Sequence, residues 1–441
     1  MRPSQVLGKS LQPVVLLVLA AVTAASMWFY VDRILVGYQV KDAAAHERPR
    51  GNLSDLYPRW LGARELLLHR RNPYGDDIAI EIQKGYYGRA LDPGRPNDPK
   101  DQQGFAYPVY VVFLLAPLVG LPFPGVQLFF HWLLVAVTAA SVWLWLRGLQ
   151  WKLPGTAIAA GIALTLGCFP VVQGLKLQQL TLLVGALLAG AVACLSSGFL
   201  FCGGMLLAVA TIKPQLAWPL VAWLLVWAVR DWRVRRRLVF GFGLVMGLLL
   251  AGGEIILPGW WRMFAHAIGE YHRYTQNQSV LDQLVPWGFT GKVLAVAAVL
   301  ACVIFLWRLR QRPADAEEFG GAAALVMALT VLVVPMSAPY NQVLLVPVVL
   351  ELVRDRAKFL ARSRNRRLAY LVGALLVGWQ WVASLSLSAA YLSGARVWAL
   401  AHWTWPFFAT FALPVWMFAL IFLCVQDERS QVGAGPFQKA G

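Results

Sequence analysis

The chain has 441 residues, 59% hydrophobic and only 14% charged, and its 39 Lys and Arg outnumber 22 Asp and Glu for a formal net charge of +17. An ordinary soluble domain is about 25% charged, so the polar surfaces of the two or three domains this length would suggest cannot be covered. The positive excess would suit a nucleic-acid binder only if the cations formed a solvated face or stripe.

A helix needs roughly 20 largely apolar residues to cross a bilayer. Uncharged runs near that length lie at 12–31, 124–146, 153–171, 180–197, 199–213, 215–229, 238–257, 292–307, 319–336, 341–353, 368–390 and 405–425. They predict an all-α polytopic membrane bundle of about 12 transmembrane helices, a single domain over 1–425, followed by a polar, disordered tail at 426–441. Residues 1–31 share a basic start and an apolar stretch with signal peptides. The run from Leu11 to Val31 is long for that role, and Trp28-Phe29-Tyr30 reads as an interfacial anchor.

Cytoplasmic loops accumulate Lys and Arg. With the N-terminus inside, 21 of the 39 basic residues fall in cytoplasmic segments, including the clusters Arg230–Arg237, Arg308–Arg312 and Arg354–Arg367. Short outer loops hold six: Lys176, Lys213, Arg262, Arg273, Lys292 and Arg396. The other 12 lie in a long outer segment, 32–123, where 11 acids nearly balance them. Sorted by side, the cations orient a bundle and leave no nucleic-acid stripe. Cys168, Cys194, Cys202, Cys302 and Cys424 all sit in apolar runs without metal-type spacing and read as small core residues.

The segment 32–123 is patterned. Leu53, Leu56, Tyr57, Trp60, Leu61 and Arg64 recur at helical spacing, predicting an amphipathic helix in the membrane interface, ended by Asn72-Pro73-Tyr74-Gly75. Asp76-Asp77 reads as a solvated turn, and the apolar stretch from Tyr107 to Leu121, interrupted by Pro117, as a second juxtamembrane or re-entrant helix. Asp55 has two readings: an N-cap accepting from the first turn of the helix, or a general base held at the membrane surface.

Other polar groups fall on the same outer side. Lys213, in Thr211-Ile212-Lys213-Pro214, sits at the end of an apolar run, where a charge points to function unless it snorkels to the interface. Glu254 is a possible partner for it. Gln178 and Gln179 occupy a short outer turn, and the loop 258–291 carries Arg262, His266, His272, Arg273 and Asn277. A carboxylate, cations and amides on one face suit a reaction that takes a hydroxyl proton and releases a phosphate. No Walker loop, GxSxG turn or HExxH helix is present.

These residues carry a family resemblance. Asp55 and Tyr57 after the first span, Asn72-Pro73-Tyr74-Gly75, Tyr107-Pro108, Gln178 or Gln179 before a helix, Ile212-Lys213-Pro214, Asn277-Gln278-Ser279 and the segment from Pro335 to Pro347 follow in an order that resembles glycosyltransferase family 87 of the GT-C superfamily. Those enzymes are polyprenol-phosphate-mannose-dependent mannosyltransferases of the bacterial plasma membrane. The resemblance covers roughly residues 15 to 350. It implies a periplasm-facing inverting transferase with Asp55 as base, Lys213 at the lipid-phosphate leaving group and Gln179, Tyr107 and Asn277 lining the pocket. Gln178, Tyr57, Arg262, Arg273, His272 and Asn341 complete the expected substrate-binding set. The expected partners are membrane lipids, a polyprenyl-phosphate sugar and a lipid or glycan acceptor, without cofactor or metal. Many relatives carry a histidine where this chain has Tyr340 or Asn341, so any such role is either lost or moved to His266 or His272. A transporter or flippase of lipid-linked sugars is the alternative, although no internal repeat supports it.

Overall fold

The computed structural model describes residues 3–49, 54–92, 94–275 and 278–433, and every regular element in them is helical. Six stretches are long and apolar enough to cross a membrane: Pro13–Ala45, Phe123–Gly148, Trp232–Ile256, Thr290–Leu309, Arg364–Leu392 and Arg396–Gln426. A seventh arises if Gly155–Leu166 and Phe169–Leu177, bent by 60° at their junction, count as one. The chain is a membrane protein. Length therefore supports six or seven spans where the apolar runs predict about 12. The difference is physical, because an apolar run has the same composition whether it faces lipid or other helices. Leu180–Ser196 has only 17 residues and Leu200–Ala210 only 11, and most of the former is buried among its neighbours.

The outer segment also begins later than residue 32. The first helix passes from α-helical Pro3–Phe29 through a π-helical turn, Tyr30–Leu35, and continues as Val36–Ala45. The Tyr30 hydroxyl donates to the Trp403 carbonyl at 2.5 Å, and Asp32 pairs with Lys176 at 2.5 Å, which ties this extension to the bundle.

The amphipathic helix forms, over Leu56–His69, but its apolar side is not in lipid. Leu56, Trp60, Ala63 and Leu66 are buried, and Gly62 lets the Phe105 ring pack directly on the helix backbone. The helix ends in left-handed Arg70 (φ 58°). Asn72-Pro73-Tyr74-Gly75 then links it to a second helix, Asp76–Tyr87, in place of a simple stop. Asp76 and Asp77 are that helix's first turn, where carboxylates meet the positive end of the dipole. Arg71 binds the two helices together, donating to Glu65 at 2.8 Å, Asp77 at 2.8 Å and Glu81 at 2.7 Å. The stretch after Tyr107 is a five-residue helix, Val111–Leu115, followed by a 3-10 turn, Ala116–Leu118, at Pro117. At the other terminus, Ala412–Gly433 is one helix that runs past residue 425.

The helix Pro214–Arg230 separates the two ends of the bundle by about 25 Å. At its far end Arg235 donates to the carbonyls of Trp227 (2.9 Å), Arg310 (2.8 Å) and Arg312 (3.1 Å), gathering two basic clusters there. Leu200–Ala210 and Trp232–Ile256 cross backbone to backbone through Gly204 and Gly241. A Cβ at Gly204 would strike the Leu238 carbonyl oxygen, and one at Gly241 the Phe201 carbonyl oxygen. Small residues at such crossings are what lets membrane helices approach. Gly204→Ala should therefore destabilise the protein by about 1–3 kcal/mol, the usual effect of overpacking. Gly243→Ala, which meets open space, should behave as wild type when thermal unfolding of the detergent-solubilised proteins is compared.

Candidate active site

Asp55 holds the N-cap position of Leu56–His69, yet its side chain caps nothing. One carboxylate oxygen accepts from the Gln179 amide nitrogen, and the other from the Tyr86 hydroxyl at 3.3 Å. Of the two sequence readings, the cap geometry is absent and the carboxylate lines a cavity. Its backbone is fixed from below. The Asp55 N–H donates to the Leu177 carbonyl at 3.0 Å, Ser54 donates to the Gln178 side-chain oxygen, and the Gln178 amide nitrogen donates to the Gln127 carbonyl. Gln178 is left-handed (φ 52°) and forms the corner between Phe169–Leu177 and Leu180–Ser196. The corner lets two adjacent glutamines serve different partners, one beneath the Asp55 backbone and one on its carboxylate.

Lys213 is 6% exposed, in the turn between Leu200–Ala210 and Pro214–Arg230. Its ammonium donates to the Thr181 hydroxyl at 2.6 Å and to the Gln179 side-chain oxygen at 3.2 Å, and lies 5.0 Å from the centre of the Tyr340 ring. Gln179 thus touches both charges, donating to Asp55 and accepting from Lys213. Desolvation pushes the Lys213 pKa down to about 7; the Arg59 charge adds to this and Asp55 opposes it.

Arg59, one helical turn after Asp55, donates to the Asp55 carbonyl and sits 4.6 Å from the centre of the Tyr107 ring. Among the described residues neither Arg59 nor Lys213 takes part in a salt bridge. The cavity they share with Asp55 encloses about 240 Å³. Tyr107, Gln179 and Tyr340 line it, as do Asp101 and Gln103 from the irregular outer stretch, and Phe264, Ile268 and Tyr271 from one face of Trp260–Thr275.

The expected residues divide clearly. Asp55, Lys213, Gln179 and Tyr107 converge on the cavity. Gln178 supports it from behind, and Asn341 stands one bond further back, its side-chain oxygen accepting from Thr181 at 3.2 Å. Tyr57 is outside, with its hydroxyl against Gly85. Arg262, His266 and Arg273 are exposed on the opposite face of the Trp260–Thr275 helix, and His272 is exposed on its flank, one turn after Ile268. Arg262 covers Trp261, while Arg273 and His266 face Glu270. Glu254 accepts from the Gly259 N–H at 2.7 Å and does not reach Lys213. Asn277 lies outside the described residues. Arg59, Asp101 and Tyr271 escaped the sequence reading. The i,i+4 spacing from Asp55 to Arg59 is a usable signal, whereas Asp101 lies in a stretch with no periodicity. Among the described residues no three His, Cys, Asp or Glu side chains group as metal ligands.

A model of glycosyltransferase family 87 matches residues 105–335. The match includes Tyr107, Gln179 and Lys213 and begins after Asp55, Arg59 and Asp101. No curated protein and no solved structure matches the chain.

The Lys213 pKa carries a stability consequence. It is about 7 in the folded protein against about 10.4 unfolded, so between these values the unfolded chain binds the extra proton and folding stability rises with pH. Below pH 7 both states are protonated and the burial penalty is complete. Lys213→Met should therefore be more stable than wild type at pH 6, with the difference in melting temperature shrinking steadily toward pH 10. A difference independent of pH would contradict this origin.

Proposed function

The chain belongs to glycosyltransferase family 87, and on that premise we propose that it transfers a hexose, mannose in the first instance, from a polyprenyl-phosphate donor to the hydroxyl of a lipid or glycan acceptor. The observation that carries this reading is the meeting, in one cavity, of a carboxylate held by neutral donors and two cations outside any salt bridge among the described residues. Two such cations suit a substrate anion. A carboxylate whose side-chain partners among the described residues are an amide and a phenol suits a proton acceptor.

In the proposed reaction the acceptor oxygen attacks the anomeric carbon while the bond from that carbon to the phosphate oxygen breaks. The hydroxyl proton passes to Asp55, and the departing lipid phosphate takes the bonding pair. Lys213 and Arg59 stabilise the charge that develops on it, an electrostatic contribution that is often the largest in catalysis. A single displacement with one base and no enzyme nucleophile inverts the anomeric centre. Arg59 lines the cavity, whereas Arg262 and Arg273 of the expected substrate-binding set are exposed on their helix. The two cations supply the positive charge, and we assign no cofactor; the partners are membrane lipids, the lipid-linked donor and the acceptor. The basic clusters lie at the end of the bundle away from the cavity, so the preference of Lys and Arg for the cytoplasm supports termini inside and a periplasmic site in a bacterial plasma membrane.

Asp55→Asn should lower transfer from purified polyprenyl-phosphate mannose by about 10²- to 10⁴-fold, the usual contribution of a general base, while donor affinity is unchanged; full activity in this variant would refute the proposal. The donor should also bind more weakly as pH rises. Lys213 is charged only below about pH 7 in the free enzyme, so above that pH binding of the phosphodiester anion must draw a proton from solvent onto Lys213. Donor KM should climb from pH 6.5 to 8.5 in the wild type and stay flat in Lys213→Arg, whose guanidinium keeps its proton throughout.

A further inference from the structure

One proton leaves the acceptor in this reaction, and one carboxylate suffices to take it, yet the cavity is lined by two, Asp55 and Asp101. The second is deliberately held. Both Asp101 carboxylate oxygens accept from Gln103, one from its N–H and one from its side-chain amide, each at 3.0 Å. Gln103 reaches around in this way only by adopting a left-handed backbone (φ 54°), a conformation uncommon for a residue other than glycine and persisting where the surroundings impose it. The Asp101 carbonyl in turn accepts from the Tyr87 hydroxyl at 2.7 Å, which anchors the stretch to the Asp76–Tyr87 helix. A carboxylate offers about four lone-pair sites, so two remain open. Desolvation and the neighbouring Asp55 charge raise the Asp101 pKa, with Gln103 and Arg59 pulling the other way. The two acids therefore sense one another across the space where an acceptor must sit.

With the two cations of the cavity taken up by the donor phosphate, an acceptor meets the two carboxylates, which favour hydroxyl groups over a further anion. We propose that Asp101 is an acceptor-positioning residue: it accepts a hydrogen bond from a second hydroxyl of a neutral sugar acceptor, turning the reactive hydroxyl toward Asp55. The acceptor class is then a neutral polyol, a glycoside bearing a hydroxyl close to the reactive one, and not a simple lipid alcohol. This rests on the reading of Asp55 as base and of a polyprenyl-phosphate hexose as donor.

The test uses the full chain in detergent, polyprenyl-phosphate mannose labelled in the sugar, and three acceptors: octyl α-mannoside, octyl α-glucoside and 1-octanol. Wild type should glycosylate at least one octyl glycoside far better than 1-octanol. Asp101→Asn should raise the KM for that glycoside by about 10- to 100-fold, as expected when a hydrogen bond to a charged group is lost, a far larger change than in the donor KM. Asp101→Glu should restore part of the acceptor affinity. One monodeoxy analogue of the glycoside should be penalised in wild type and not in Asp101→Asn, a coupling that a merely structural role for Asp101 would not produce. Equal use of 1-octanol, an unchanged acceptor KM in Asp101→Asn, or the absence of any such coupling overturns the proposal. If wild type hydrolyses the donor in an Asp55-dependent way but uses neither glycoside, the acceptor class is wrong. If neither transfer nor hydrolysis depends on Asp55, the reading beneath it fails first.

Discussion

The site depends on one amide. A lysine and an aspartate placed near each other in a poorly solvated pocket would ordinarily form a direct ion pair, which relieves the desolvation of both. Here Gln179 stands between them, its nitrogen on Asp55 and its oxygen on Lys213. Each charge keeps a hydrogen bond, so neither is orphaned, and neither is neutralised. The cation remains able to receive an anion and the carboxylate a proton. The rest follows from keeping Gln179 in register: left-handed Gln178 sets the corner, Thr181 gives Lys213 a second acceptor, and Asn341 receives the Thr181 hydroxyl.

Backbone strain is concentrated around the same space. Among the described residues six that are not glycine have positive φ, and Gln103, Gln178 and Met336 are three of them. Gln103 and Met336 line the cavity, and Gln178 lies directly behind Asp55. Such conformations persist only where surrounding bonds hold them. Gln103 is held by its carboxylate partner, Gln178 by Ser54 and the Gln127 carbonyl, and Met336 by the Gln278 carbonyl, which accepts from its N–H at 3.3 Å. Three separate segments are thus bent out of easy backbone conformations to bring one set of side chains together.

How much of this was legible in the sequence depended on whether a residue carried its own local signal. Asp55 is conspicuous as the acid at the head of an amphipathic helix, Lys213 as a charge at the edge of an apolar run, and Gln179 because it opens a helix. Asp101 sits in an aperiodic stretch, and only tertiary folding brings it to the cavity. Arg262 and Arg273 read as outer cations and His272 as a stand-in for the family histidine, but a sequence does not say which face of an amphipathic helix turns inward, and Phe264, Ile268 and Tyr271 occupy that face. The count of spans is open to a related ambiguity: Leu180–Ser196 is as apolar as a transmembrane helix and is covered by protein. Leu56–His69 was found by its periodicity, while the side chains burying it, Phe105 among them, belong to a stretch without any.

The charge excess takes on a different meaning once the two ends are distinguished. At one end, basic clusters are gathered around Arg235 and its carbonyl partners, away from the cavity. At the other, the outer acids are largely spent on structure: Arg71 engages Glu65, Asp77 and Glu81, and Arg89 engages Asp98. Pairing the outer charges in this way leaves the local field to the few groups that face the cavity. Two cations and two carboxylates in about 240 Å³ nearly cancel at long range, so the pocket does not attract ions indiscriminately. Their separation by neutral amides leaves each free to make its own hydrogen bonds, and on the proposed reading a substrate would be selected by whether its phosphate and its hydroxyls fall on the right members of the set.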